Sequence, residues 1–411
     1  MIKHSKIAKM NDNLSWTASG KSVLMLNIRH LWVLGIWELG ETNLFILQSI
    51  IAVGMGAFVI VDRAVAVYFI WGNFELTTLV LLITFIGGSG VVKMAVFVYN
   101  RRQYHSLANQ LDELLSLKRG SCSEDPNLAA ILASSRRKAA RLTKGLLLLM
   151  LSQTLLWMSV PLVAYPEESR LPFVQHQWDH NNNFYGISYI VQCLSAVWVS
   201  QISLGVDCLF AAVMILVAAQ LEILVHRLLN VRNDVDIVCK ETAVLEQKEL
   251  DSKSDENMYD ELRLCIKTHQ DILRFVAFLQ DIMSPIAMTQ FVMSVVIACM
   301  ALFQATYSEE FSAVLKCASF LTIPVGQLYL YCWAATNVTA QAEAVSAAIY
   351  SCSWVDASER FKRALRLIIS RSQKPLVLTA GHLYPIDKEA FLTLVNASYS
   401  YYALLSQMYN R

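Results

Sequence analysis

Seven long apolar stretches limit what this chain can fold into. They run Leu44–Val61, Leu76–Tyr99, Gly145–Ala164, Ile187–Val217, Ile282–Thr306, Phe311–Ala335 and Ala390–Met408. Each is close to or above the roughly 20 residues needed to cross a bilayer. In hydrocarbon, backbone N–H and C=O groups must be satisfied inside the segment, so such spans are helices. Composition agrees: 55% of the 411 residues are hydrophobic and 16% charged, against roughly 25% charged in soluble domains. Mean hydropathy is +0.42. The sequence predicts an all-α membrane protein with seven transmembrane helices. The first span can continue through Ala64–Trp71, which leaves Asp62 and Arg63 near its outer end.

Lys and Arg counts set the orientation, because cytoplasmic segments hold the excess. Five precede the first span, and the following segments hold one, nine, one, eight, none and seven, with Arg411 after the last span. The alternation puts the N-terminus in the cytosol and the C-terminus outside, opposite to a G-protein-coupled receptor. The first 30 residues are polar and basic and lack the apolar core of a removable signal. Cysteines fall in spans or on the inner side, so no outer disulfide is expected. A net charge of +1 argues against nucleic acid as a partner, since that needs a basic face.

Four regions follow. Residues 1–43 form a cytosolic segment whose apolar Leu31–Leu39 is too short to span and reads as interfacial. Residues 44–335 hold six spans with long inner loops, 336–389 a cytosolic amphipathic helix and connection, and 390–411 the seventh span and outer tail. The inner segments show helical periodicity (Leu262, Ile266, Ile272, Phe275). They read as helical extensions of the spans that build a cytosolic anchor domain, with Lys248–Asn257 as a charged link.

No enzyme constellation is present. Gly87-Gly88-Ser89-Gly90 lies inside an apolar span, where it suits close helix packing rather than phosphate binding. His176 and His180, at i, i+4 with Asp179 between them, have a metal-ligand spacing that an ordinary polar loop explains as well. No cofactor is expected. Besides Lys316 in the sixth span, two charges lie within spans: Lys93, 17 residues into the second, and Asp207, 20 residues into the fourth. Both spans run from outside to inside, so at about 1.5 Å per residue the two charges reach similar depth. An ion pair or separate solvation both fit.

The seventh span has no internal charge but many hydroxyls and amides. Thr393, Asn396, Ser400, Leu404 and Gln407 are spaced 3, 4, 4 and 3 and share one helical face. Such a face meets protein or water rather than lipid, and one apolar ring in a polar conduit gates by dewetting.

Ser400-Tyr401, five residues, then Gln407-Met408 resembles, in degenerate form, the final-span signature of insect gustatory receptors. The longer stretches QLYLYCWAATNVTAQAEAVSAAIYSCSW (327–354) and RSQKPLVLTAGHLYPIDKEAFLTLVNASYSYYALL (371–405) are similar to the C-terminal third of insect odorant receptors. Ala390 stands where that family commonly has Thr. The resemblance implies a ligand-gated, non-selective cation channel in the plasma membrane of sensory-neuron dendrites. It implies a heterotetramer with a shared co-receptor subunit, in which this chain, lacking the co-receptor's longer second inner loop, is the odorant-tuning subunit. Leu404 then matches the hydrophobic gate and Gln407 its polar neighbour. The family's ligand site, in the outer half of the membrane, maps onto Ile83, Ile86 and Gly87; Gln153, Trp157 and Val160; Cys193, Val197 and Ser200; and Phe320 and Leu321. The expected ligand is a small volatile odorant, and the surrounding solvent is membrane lipid. A gustatory-type channel, a G-protein-coupled receptor and a transporter are the alternative readings.

Overall fold

The computed structural model describes residues 22–38, 43–72, 74–116, 126–164, 171–173, 185–241, 247–307, 311–352, 354–355 and 357–409. Helices follow one another as α1 (Met25–Val33), α2 (Asn43–Ile70), α3 (Phe74–Tyr99), α4 (Arg101–Ser116) and α5 (Pro126–Ala164). Then come α6 (Tyr185–Glu241), α7 (Gln247–Tyr307), α8 (Phe311–Ser351), α9 (Glu359–Ser372), a small hairpin of β1 (Thr379–Ala380) and β2 (Tyr384–Pro385), and α10 (Lys388–Tyr409).

Helix α6 is the axis of the molecule. Its residues 201–221 are all buried, as expected of a helix that is apolar on every side. It packs against α8, α5, α7, α3, α2 and α1. At 57 residues it is about 85 Å long, far more than a bilayer needs, so its inner part continues beyond the membrane. Helix α7, with 61 residues, does the same. Helix α2, by contrast, presents Leu44, Ile46, Leu47, Ile50, Val53, Ile60, Val61 and Val65 outward; on a spanning helix that face meets lipid. The first span does run on past Asp62 and Arg63 as one helix.

Among the described residues, five helices (α2, α3, α5, α6 and α7) are long and apolar enough to cross a membrane by length and composition. The sixth and seventh expected spans fall within α8 and α10. Their apolar runs are broken by Pro324 and Gln327 in α8, and by Asn396, Ser398 and Ser400 in α10. Lys248–Asn257, expected as a link, is instead the first part of α7. Its Lys and Glu residues are good helix formers, and the helix continues into the buried face of Met258, Leu262 and Cys265.

The N-terminal apolar stretch packs inside the inner half of the bundle. Leu31, Ile36 and Trp37 are buried, and Gly205 of α6 lets α1 approach: a Cβ there would sit 2.9 Å from Leu31 Cδ2. Trp198 Nε1 donates to Leu34 O at 3.1 Å, and Val23 N donates to Asp112 Oδ1 at 3.1 Å. Around the α3–α4 junction Phe97 and Tyr104 stack at 4.0 Å, while Trp37 lies 4.6 Å from the His105 ring. Burial, with Arg101 nearby, pushes the His105 pKa down to about 4. The unfolded chain has His near 6.5, so His105 supplies stability above that value that is lost as pH falls toward 4. Melting of the detergent-solubilised protein is expected to drop across that window, and His105→Asn to flatten the part of the drop due to this ring.

The inner end of the bundle positions α10. Ser358, with extended backbone, caps α9 by accepting from Phe361 N. The buried face of α9 is Phe361, Leu365 and Ile368. The β-hairpin turns through Gly381 and His382 at φ 62 and 57 and is tied to α7. Gln280 Nε2 donates to Thr379 O at 2.7 Å, and Thr379 N donates back to Gln280 Oε1 at 2.8 Å. Gly381 N donates to Ser284 O at 3.1 Å. Asp387 then caps α10, accepting from Ala390 N at 2.6 Å.

Candidate functional site

A cavity of about 110 Å³ lies among α2, α3, α5, α6, α7 and α8, with Phe173 also on its wall. It is of the order of the ~150 Å³ engineered apolar cavity that takes up benzene. Its wall is mostly apolar, and Trp157 of α5 stacks on Phe320 of α8 with ring centroids 4.6 Å apart. Leu82, Ile297, Ala301 and Phe320 form a small buried cluster there, against which Ile83, Ile86, Trp157 and Leu321 pack. Gly90 allows α3 and α6 to meet below: a Cβ would lie 2.7 Å from Val199 Cγ1. Gly90, and Gly87 with Val59 Cγ1 3.2 Å from its Cβ position, thus serve packing, while Gly88 faces open space.

Of the eleven ligand-site candidates, Ile83, Ile86, Gly87, Gln153, Trp157, Ser200 and Phe320 line this cavity. Leu321 packs behind the wall, and Val160, Cys193 and Val197 are half-buried outside the lining. Sequence reasoning missed Gln290 and Ile297 of α7 and Val59 and Arg63 of α2. The available signal was polarity: a buried cation or amide in an apolar span marks a functional face.

Arg63 is 4% exposed. Its Nη1 donates to Phe173 O at 2.7 Å, and the guanidinium lies 4.9 Å from the Phe173 ring centroid. Asp62 is held by Gln192 Nε2 at 2.8 Å, with Arg63 Nε 3.8 Å away. These contacts fasten the 171–173 segment over the outer end of the cavity.

One helical turn below the cavity, Lys93 Nζ lies 2.8 and 2.7 Å from the two Asp207 oxygens. Both side chains have zero exposure, and Tyr331 Oη donates to Asp207 Oδ1 at 2.8 Å. Of the two arrangements open to these charges, the ion pair is the one formed, and α8 adds a third member. Each group stands four residues inward of a cavity-lining residue: Ser89, Ser203 and Gln327.

On α10, Thr393, Asn396, Ser400, Leu404 and Gln407 are all exposed. The other face is bound to α7: Thr306 Oγ1 and Tyr402 Oη are 2.9 Å apart, and Tyr307 Oη and Ser406 Oγ 2.9 Å. The stripe therefore points away from this chain's own bundle. His176, Asp179 and His180 lie outside the described residues.

A family model described as the 7tm odorant receptor matches residues 72–399. Among curated proteins, odorant receptor Or2 of Anopheles gambiae is 31% identical over 153 residues, 37% of this chain and 40% of that one. Odorant receptor Or1 of the same mosquito is 24% identical over 267 residues, 62% of this chain and 64% of that one. The chain thus spans about two fifths of the length of the first of these relatives. The solved structure of the insect olfactory receptor OR5 from Machilis hrabei superposes with a TM-score of 0.69 at 16% identity, covering 90% of each chain. The same receptor in complex with eugenol gives 0.68, covering 93% of this chain and 96% of that one. The fold is therefore that of insect olfactory receptors, with seven spans. With the family model covering most of its length, the chain belongs to the insect odorant receptor family, a family of multi-pass membrane receptors and not of enzymes.

Proposed function

We propose that this chain is the odorant-binding subunit of a ligand-gated, non-selective cation channel in the plasma membrane of olfactory neurons. It opens when a small volatile binds in the outer half of the helix bundle. The cavity carries this reading: a space inside the bundle with a mainly apolar surface and an aromatic stack suits a small hydrophobic ligand. Ile83, Ile86, Gly87, Gln153, Trp157, Ser200 and Phe320 belong to its wall, with Leu321 packed behind them; Val160, Cys193 and Val197 lie outside the lining.

A pore supplies the second half. One chain offers one polar helix face, so a conduit needs several subunits around an axis. Thr393, Asn396, Ser400, Leu404 and Gln407 leave that face free, and a heterotetramer with a shared co-receptor subunit would close it. The inner ends of α6, α7, α8 and α9 would form the cytosolic anchor. Countertransport and G-protein coupling find no comparable support, whereas a gustatory-type channel would share the architecture.

Whole-cell recording in a heterologous cell, with and without the co-receptor, tests the reading. Fast inward cation current that requires both subunits supports it; surface-expressed protein silent to a broad odorant panel overturns it. Within such a channel Leu404→Ser is expected to raise the ligand-independent current severalfold, because a polar side chain keeps the constriction wet. A basal current equal to that of the unaltered complex would remove Leu404 from the gate.

A further inference from the structure

Among the described residues, three that line the cavity carry a buried polar atom with no hydrogen-bond partner: Trp157, Gln290 and Arg63, whose Nε faces Asp62 Oδ2 at 3.8 Å. In Trp157 and Gln290 the atoms are the indole Nε1 and the amide Oε1. Gln290 is 2% exposed. Its amide orientation follows from its neighbours: Ser294 Oγ gives its proton to Pro324 O at 3.2 Å and so accepts from Gln290 Nε2 at 2.9 Å, whose second proton goes to Gln327 Oε1 at 3.2 Å, with Pro324 O 3.5 Å away. The Pro324 carbonyl only accepts, so the nitrogen belongs on that side and the free oxygen on the other.

Several other polar groups on the wall are already engaged. Gln153 Nε2 donates to Ser319 O at 2.6 Å. The hydroxyls of Ser89, Thr154 and Ser200 donate to carbonyls of their own helices. Apart from Arg63 Nε, which has the Asp62 carboxylate beside it, what is left is the Gln290 acceptor without a donor and the Trp157 N–H without an acceptor. Buried groups of this kind are costly to leave unpaired, and a bound molecule that pairs them recovers that cost.

We propose that the ligand class of this cavity is the small aromatic alcohol or phenol. Its hydroxyl proton is donated to Gln290 Oε1, an oxygen of the ligand accepts from the Trp157 N–H, and its ring packs on the Trp157–Phe320 stack. Hydrocarbons satisfy neither group. Ethers, ketones and esters satisfy only Trp157. The inference rests on the cavity being the ligand site and specifies what that site selects.

The test reads binding apart from gating. The full chain, alone or with its co-receptor, is purified in detergent, and its melting temperature is followed against phenol, benzyl alcohol, anisole and benzyl methyl ether. Currents from the complex are recorded with the same four compounds. Each hydroxyl compound is expected to act at about tenfold lower concentration than its methyl ether, the effect of one net hydrogen bond. Gln290→Met, similar in size but without the carbonyl, is expected to erase that ratio. Ser294→Ala, which removes a neighbour of Gln290 but not its free oxygen, is expected to keep it, so general loosening of the α7–α8 contact is told apart from loss of the acceptor. Equal potency of alcohol and ether, a preference that survives Gln290→Met, or no thermal shift with any of the four overturns the proposal. A preference in melting without any current would leave the proposal standing and overturn the channel reading.

Discussion

Lys93→Met is expected to remove most of the protein from the cell surface. The substitution leaves the Asp207 carboxylate with zero exposure and only the Tyr331 hydroxyl as partner. Breaking a buried pair by deleting one member costs about 3–5 kcal/mol, whereas replacing both members by apolar residues of similar volume is often neutral. A membrane setting sharpens the contrast, because no water is at hand to solvate the survivor. The double variant Lys93→Met with Asp207→Leu is therefore expected to regain much of the surface population lost by the single one. Surface biotinylation and melting in detergent check both. A single variant that reaches the surface normally would show that the pair does not hold the fold together.

Trp157→Ala is expected to raise the odorant concentration for half-maximal current by about ten- to a hundredfold, corresponding to roughly 1–3 kcal/mol of lost ligand contact. The indole is the largest side chain on the cavity wall and stacks on Phe320 at 4.6 Å. Its removal opens the space and deletes a face for the ligand. Trp157→Phe keeps an aromatic face and should shift the response by less. Dose–response curves, normalised to surface expression, make the measurement. Unchanged sensitivity in Trp157→Ala would put the ligand elsewhere.

The seven-span architecture was legible because hydrocarbon imposes a blunt demand: long apolar runs and internally bonded backbone. The exposed stripe of α10 was legible for a similar reason, since its polar residues recur at helical spacing. Where lateral packing decides, the sequence said less. A lone amide such as Gln290 in an apolar run does not reveal which neighbouring helix its face will meet. Only the crossing of α7 and α8 places it beside Pro324 and Gln327. Arg63 could be placed near an outer end, but its partner is a backbone carbonyl 110 positions away, which no local pattern encodes. Residues 248–257 read as a link because they are charged, yet Lys and Glu favour helix and a buried face follows from Met258. Lys93 and Asp207 could be set at matching depth from residue counts alone; choosing pairing over separate solvation needed the rotation of both helices.

The position of the buried ion pair bears on how a small molecule could move a large protein. Lys93, Asp207 and Tyr331 pin α3, α6 and α8 to one another a single turn beneath the cavity floor. A molecule wedged above that point works against a fulcrum: those three helices can splay only at their outer ends, as levers clamped at the base. Helices α2, α5 and α7 also line the cavity but supply none of the three clamped groups. Of these α7, held to α8 by Gln290 and to α3 by Gln304, is the one bonded to the helix carrying Leu404, through Thr306 and Tyr307, so swelling on that side is felt at α10.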